Sequence, residues 1–324
     1  MSRGTLILAA LCASAPAAAA PAPDPPAQVP STLLEARAPE PDEAWWTGPI
    51  AASSADTLPR GHVLIEPYLY DVRSPGGDYL GSLTYILYGL TDRLTVGVIP
   101  TIGSARSRGS ASPRRVAAGD LTLQAQLRLH RAKAGDALPT FAVLIQRAVP
   151  LGRFDRLGDD PDRGVGGGVA PTTLGVNAQR VDRLPSGRAL RTRVNLARSL
   201  PSRTHVLDAS IYGTPAGFGG IARVRAVTTA DLSVEYSATR RFTLATDLIG
   251  RWAGSGLVSG RVVTGAGRLD YVAALPGIRS FSVAPALEYS WTNSRGVLLG
   301  ARWTAAAHGR PGSVTPVVAL NVVL

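Results

Sequence analysis

The sequence predicts an all-β chain: a transmembrane antiparallel up-and-down β-barrel of about 12 strands, or about 14, behind a signal peptide and an extended N-terminal arm. Three observations predict it. Apolar and polar residues alternate with period two over segments of about ten residues, the length a tilted membrane strand needs. Aromatic residues stand near segment ends, at Tyr85, Tyr88, Tyr236, Phe242, Trp252, Phe281, Tyr289, Trp291 and Trp303, where a membrane interface holds them. Short connections (90–93, 183–187, 237–241, 292–296) alternate with long ones (104–119, 152–171, 254–277). A secreted soluble sandwich also alternates apolar-in and polar-out, but it explains neither the strand length nor the loop asymmetry.

The chain opens MSRGTLILAALCASAPAAAA. Arg3, a short apolar core and a run of small residues make residues 1–19 a cleavable signal peptide. Its core is too short to cross a bilayer. The only cysteine, Cys12, lies inside it, so the mature chain has no thiol and forms no disulfide. Residues 20–60, rich in proline and alanine, read as an arm or plug, and residues 61–324 as the barrel. The formal charge of +11 is carried almost wholly by arginine, Lys133 being the single lysine. No dense basic run or basic helix marks a nucleic-acid surface.

Strand candidates lie near 61–72, 79–90, 93–103, 119–131, 139–150, 172–182, 188–198, 204–213, 228–238, 241–252, 280–291, 296–307 and 313–324. Single-chain bacterial barrels are normally even-numbered. Reading 188–213 as one long kinked strand gives twelve; a further hairpin through Arg261, Val262 and Val263 gives fourteen. The cleanest alternation is GDLTLQAQLRLHR, with Leu121, Leu123, Ala125, Leu127 and Leu129 on one face. In HVLIEPYLY, His62, Glu66 and Tyr68 are expected to point inward and Val63, Ile65 and Leu69 to meet lipid. Pro67, Pro100, Pro285 and Pro316 fall inside strands and suggest bulges.

Charged side chains facing hydrocarbon cost a few kcal/mol at mid-bilayer. The polar row is therefore expected to line the pore: Glu66, Asp120, Gln124, Gln126, Arg128, His130, Asp231, Glu235, Asp247, Arg251, Glu288 and Arg302. Each of these either biases selectivity or fills the barrel with structural acid–base pairs. Trp45 and Trp46 are expected to anchor the arm at the rim or inside the lumen. No catalytic, cofactor or metal residues are expected. The four histidines accompany no Gly-x-Ser-x-Gly elbow. Asp155, Asp159, Asp160 and Asp162 read as a solvated loop rather than a Ca²⁺ site, and GVGGG (164–168) as a mobile external loop rather than a phosphate cradle.

Four blocks, WWTGPIAASSADTLPRGHVLIEPYLYDV, SLTYILYGLTDRLTVGVIP, VPLGRFDRLGD and SIYGTPAGF, occur in this order. They resemble the outer-membrane proteins of the "MetA-pathway of phenol degradation" family. The resemblance implies an outer-membrane channel or transporter for small, hydrophobic or aromatic solutes. The alternative is a non-transport scaffold or surface-binding barrel. Expected partners are outer-membrane lipids and lipopolysaccharide, the barrel-assembly machinery and small solutes, with no nucleic acid. The end of the chain, Leu320, Val322 and Leu324, keeps the apolar alternation of an insertion signal but closes on leucine rather than an aromatic residue.

Overall fold

The computed structural model describes residues 44–110, 113–133, 136–265, 267–307 and 311–324. The expected signal peptide and the arm up to residue 43 lie outside the described residues. In chain order the strands are β1 (Val63–Ser74), β2 (Gly77–Thr91), β3 (Leu94–Ile99), β4 (Thr101–Ser107), β5 (Ala117–Ala118), β6 (Leu121–His130), β7 (Thr140–Val149), β8 (Thr172–Arg183) and β9 (Ala189–Leu200). They continue with β10 (Thr204–Leu207), β11 (Phe218–Arg223), β12 (Val227–Ser237), β13 (Phe242–Ala253), β14 (Gly256–Thr264), β15 (Gly267–Leu275), β16 (Ile278–Thr292), β17 (Arg295–Thr304) and β18 (Ser313–Val323).

Every wall strand pairs antiparallel with its neighbours, and β1 pairs with both β2 and β18, so the sheet closes on itself. Counting β3 and β4 as two halves of one strand, both paired to β2, and the two-residue β5 with β6, which pair with β4 and β3 in turn, the wall has twelve strands among the described residues. Closure leaves no sheet edge, which is what lets strands stand in an apolar solvent.

The route to twelve differs from the expected one. Residues 188–213 are not one kinked strand: β9 ends at Leu200, and β10 leaves the wall to pair with β11. The hairpin through Arg261, Val262 and Val263 forms as β14–β15, but outside the wall. Together β10, β11, β14 and β15 make a four-stranded sheet at the long-loop end.

The prolines also act otherwise than expected. Pro100 splits β3 from β4. Pro67, Pro285 and Pro316 stay in register with Thr84, Thr246 and Ala301 on one side. On the other side the pairing skips them without an inserted residue. A missing N–H removes bonding toward one neighbour only, so no bulge is required. The register shifts that do occur lie near the short turns, at Gly89/Thr91, Arg128/His130 and Ser290/Thr292.

Alternation decides the two surfaces. Leu123, Leu127, Ile145, Leu196, Leu248 and Leu299 all stand exposed on the outer wall. Inside, the lumen is two-faced. The walls from β6 through β16 present Gln124, Gln126, Arg128, Asn177, Gln179, Arg191, Arg193, Asp231, Glu235, Asp247 and Glu288, all buried. The β1–β3 and β17–β18 side presents Leu64, Tyr68, Leu83, Tyr85, Leu87, Ile99, Leu298 and Val317 as one apolar cluster. Tyr85, expected at the interface, belongs to this inner cluster because it shares the parity of Leu83 and Leu87. His62, expected to face inward, precedes β1 and is exposed at the short-turn end.

Candidate functional site

Residues 44–60 run inside the barrel before β1 begins. They enter at the turn between β12 and β13, where the Trp45 N–H donates to the Arg240 carbonyl at 2.9 Å. The Trp45 ring lies 4.4 Å from the Arg240 guanidinium and 5.8 Å from that of Arg241. The Arg191 guanidinium lies 4.3 Å over the Trp46 ring. Each contact sets an indole face against a cation that is drawn to its negative quadrupole.

An extended segment with no sheet partner must satisfy its backbone elsewhere. Here the polar wall does this. Glu288 Oε2 accepts from the N–H groups of Thr47 at 2.7 Å and Gly48 at 3.0 Å, and from Thr47 Oγ1 at 3.1 Å. Asp247 accepts from the N–H groups of Ala51 and Ala52, each at 3.1 Å. Arg193 donates to the Ala52 carbonyl at 2.8 Å and Asn195 to the Ser53 carbonyl at 3.0 Å. Gln179 accepts from Ser54 Oγ and the Ala55 N–H, and donates to Asp56 at 2.6 Å. Gln126 donates to the carbonyls of Ser54 and Asp56.

The arm then turns back toward β1. Arg128 donates to Asp56 at 3.2 Å and to the Asp92 carbonyl at 2.8 Å. The Leu58 N–H donates to Thr95 Oγ1 at 2.8 Å. The apolar wall receives the arm's apolar side chains: Ile50, Ala51 and Leu58 join the cluster of Leu64, Tyr68 and Tyr85. Two inward glycines make room. A Cβ on Gly89 would run into the backbone of Pro59, and one on Gly296 into the Thr47 side chain.

The remaining expected site residues are distributed as follows. Glu235 is buried between two arginines: Arg191 Nε donates to its Oε1 at 2.9 Å, and Arg193 Nε lies 2.7 Å from the same oxygen. Glu66 accepts from Asn321 at 3.0 Å. Gln124 accepts from Gln146 at 2.7 Å. Asp231 is buried on β12, while Arg251 and Arg302 are half-buried on β13 and β17. His130 sits at the short-turn end, 3.8 Å from Asp136.

Asp120 stands apart from the arm. It lies at the long-loop end, just before β6, and accepts from the N–H groups of Gly152 at 3.0 Å and Gly167 at 2.8 Å. Segment 164–168 is thus tied down rather than free. The Tyr212 hydroxyl also donates to the Gly167 carbonyl, and burial pushes that hydroxyl's pKa up. Asp155 accepts from the Leu207 N–H at 3.0 Å. Asp162 accepts from the N–H of Ser107 at 2.8 Å and from its hydroxyl at 2.6 Å. Burial alone would raise the Asp162 carboxyl; the Ser107 and Ser110 hydrogen bonds outweigh it and hold the pKa below the usual range. Among the described residues no three His, Cys, Asp or Glu side chains gather as a metal set.

Sequence reasoning missed the polar groups on β8 and β9 that hold the arm, Gln179, Arg191, Arg193 and Asn195, and Asn177, which links Gln126 to Asn195. The signal was present, since all five fall on one parity of their strands. Reading 188–213 as a single strand obscured it. Asp56 was missed because nothing local in the arm marks its partners.

Neither a family model nor a curated protein matches the chain. Solved structures do. An outer-membrane channel from Pseudomonas putida F1 superimposes with a TM-score of 0.58 at 17% identity, over 83% of this chain and 98% of that one. The translocator domain of the autotransporter NalP from Neisseria meningitidis gives 0.42 at 12% identity, over 83% and 90%. The toluene transporter TodX of Pseudomonas putida gives 0.39 at 12% identity, over 82% and 89%. Only the first of these three is similar enough to support a conclusion. What it supports is the fold: a closed barrel of the kind this chain is similar to in that channel.

Proposed function

We propose that the protein is an outer-membrane channel for small solutes with apolar or aromatic bodies, closed at rest by its own N-terminal arm. The observation that carries this reading is the path of residues 44–60 between an apolar and a polar wall. The arm occupies a two-faced conduit, and a solute replacing it would meet leucine and tyrosine on one side and amides and charges on the other. An amphiphilic solute suits such a lining better than a fully hydrated ion.

The membrane setting is supported by the outer wall. Exposed Leu, Ile and Val on most wall strands form an apolar belt far larger than a monomer keeps in water. Apart from the two-residue β1–β2 turn, long connections gather at one end of the wall, while those at the other run to nine residues at most, which matches the polarity of outer-membrane barrels, short turns facing the periplasm. With that polarity the arm would enter from the periplasmic end and the outer sheet would lie outside the cell. The apolar alternation of the last strand is what the assembly machinery would receive.

The test compares the full protein with a variant lacking residues 20–60 in planar bilayers and in liposome-swelling assays. The arm-less barrel should conduct and admit small aromatic solutes, while the full protein should pass far less. No conductance from either, with both inserted, would overturn the channel reading in favour of a surface scaffold.

A further inference from the structure

The outer wall carries one feature that neither pore lining nor belt explains. Across five adjacent strands, outward-facing residues stand in one register: Leu174 on β8, Arg198 on β9, Thr228 on β12, Trp252 on β13 and Arg279 on β16. Neighbouring strands lie about 4.8 Å apart, so the two arginines stand roughly 14 Å from each other along the wall. Arg225 lies three residues before Thr228, in the segment leading into β12, and donates from Nε to the Ser255 carbonyl at 3.3 Å. Arg198 donates to Thr228 Oγ1 at 3.0 Å.

Among the described residues none of these three arginines makes an ion pair. The carboxylates of Asp231 and Asp247, on the same strands, have the opposite parity and point into the lumen. Asp270, on the overhanging sheet, lies 3.4 Å from Arg261. The site is therefore a bare cationic cluster at the outer edge of the belt.

Immediately below, the wall turns apolar. Phe281 and Leu196 are more than half exposed, at 53% and 54%, and Leu248 stands beneath them. Trp252 lies back over Gly250, where an added Cβ would strike the indole ring. Its indole thus extends toward the belt while the arginines flank its base. Guanidinium groups over an aromatic and aliphatic face fit a headgroup phosphate attached to acyl chains. They do not fit a free anion, which would have no use for the apolar half.

We infer that Arg198, Arg225 and Arg279, with Trp252 between them, form a lateral binding site for a phosphorylated glycolipid of the outer leaflet. This rests on the outer-membrane reading above and names the lipid contact that reading leaves unspecified. The site is continuous with the lipid belt at the end where outer-leaflet phosphates lie, and its charge is complementary to theirs. The four-stranded sheet rises from β9, β12, β13 and β16 directly over it, so a bound lipid would brace the base of the outer sheet.

The test uses the full protein refolded in phospholipid nanodiscs, titrated with bis-phosphorylated lipid A and followed by Trp fluorescence and native mass spectrometry. The triple variant Arg198→Gln/Arg225→Gln/Arg279→Gln should bind at least tenfold more weakly. Arg93→Gln/Arg295→Gln, at the periplasmic end, should bind like the wild type. Dephosphorylated lipid A should bind the wild type no better than the triple variant binds the phosphorylated form. Millimolar inorganic phosphate should not displace the lipid. Equal binding by the triple variant, or full competition by inorganic phosphate, would overturn the site. A heat-dependent shift in electrophoretic mobility reports folding of each variant. Failure to insert at all would count against the membrane reading, whereas insertion without selective lipid binding would count against this site alone.

Discussion

Glu288 Oε2 lies 2.7 Å from the backbone nitrogen of Thr47, across 241 residues of sequence. One buried carboxylate oxygen thus takes two consecutive arm N–H groups and a hydroxyl. Asp247 repeats the arrangement at Ala51 and Ala52. At these two points the arm is held through its backbone, which any arm sequence could offer, so these contacts depend on the two carboxylates of the wall rather than on arm side chains.

Removing both carboxylates should loosen the arm. Each charge-assisted hydrogen bond is worth about 1.5–3 kcal/mol, so Glu288→Ala/Asp247→Ala should raise single-channel open time and make residues 44–60 accessible to protease. A variant as closed and as protease-resistant as the wild type would show that packing alone retains the arm.

Trp45 and Trp46 act at the entry rather than in the lumen. Each indole–guanidinium contact contributes about 0.5–2 kcal/mol. Trp45→Ala/Trp46→Ala should therefore speed hydrogen exchange at residues 44–48 and leave exchange at Ala51–Ala52 nearly unchanged. Uniform acceleration along the arm would mean that it moves as one unit.

Glu235 sits between Arg191 and Arg193 with no exposure of its side chain. Removing one partner from a buried ion pair costs about 3–5 kcal/mol, because the other charge is left stranded. Glu235→Gln should lower the unfolding free energy of the vesicle-inserted barrel, read from its urea titration, by that amount. Replacing Arg191, Arg193 and Glu235 together by apolar residues of similar volume should cost less than the single change.

The belt predicts a cost set by depth. Leu248 is outward and central on β13. Leu248→Arg should destabilise the inserted barrel by about 2–4 kcal/mol, whereas an arginine at position 244, nearer the short turn, should cost less. Equal costs in vesicle-folding titrations would contradict the assigned belt.

Asp162 gives the outer loop an acid response. Its folded-state pKa is depressed, chiefly by Ser107 and Ser110 hydrogen bonds that overcome burial. A depressed carboxyl contributes stability above its unfolded pKa of about 3.9, and that contribution is lost as pH falls through the lower folded value. Hydrogen exchange in residues 150–163 should rise selectively on acidification below about pH 4. Asp162→Asn should show fast exchange already at neutral pH, and a loop indifferent to both changes would show that Asp162 does not tether it.

The sequence by itself determined which residues face which solvent. Leu232, Val234 and Tyr236 against Asp231, Ser233 and Glu235 follow from a side-chain period of two, and so does the inward direction of the mid-strand carboxylates. It could not determine which inward groups meet. Glu235 meets Arg191, its register partner on the neighbouring β9, and Arg193 beside it, while Glu288 reaches Thr47 of the arm across 241 residues; no local signature marks either pairing, and the order of strands in the wall and the path of the arm bring them together. Closure likewise turned Tyr85 and Leu64 into one interior wall and sent 204–207 into a separate outer sheet. Patterning is a property of each strand alone, whereas the arm's path through the lumen is a property of all twelve strands at once.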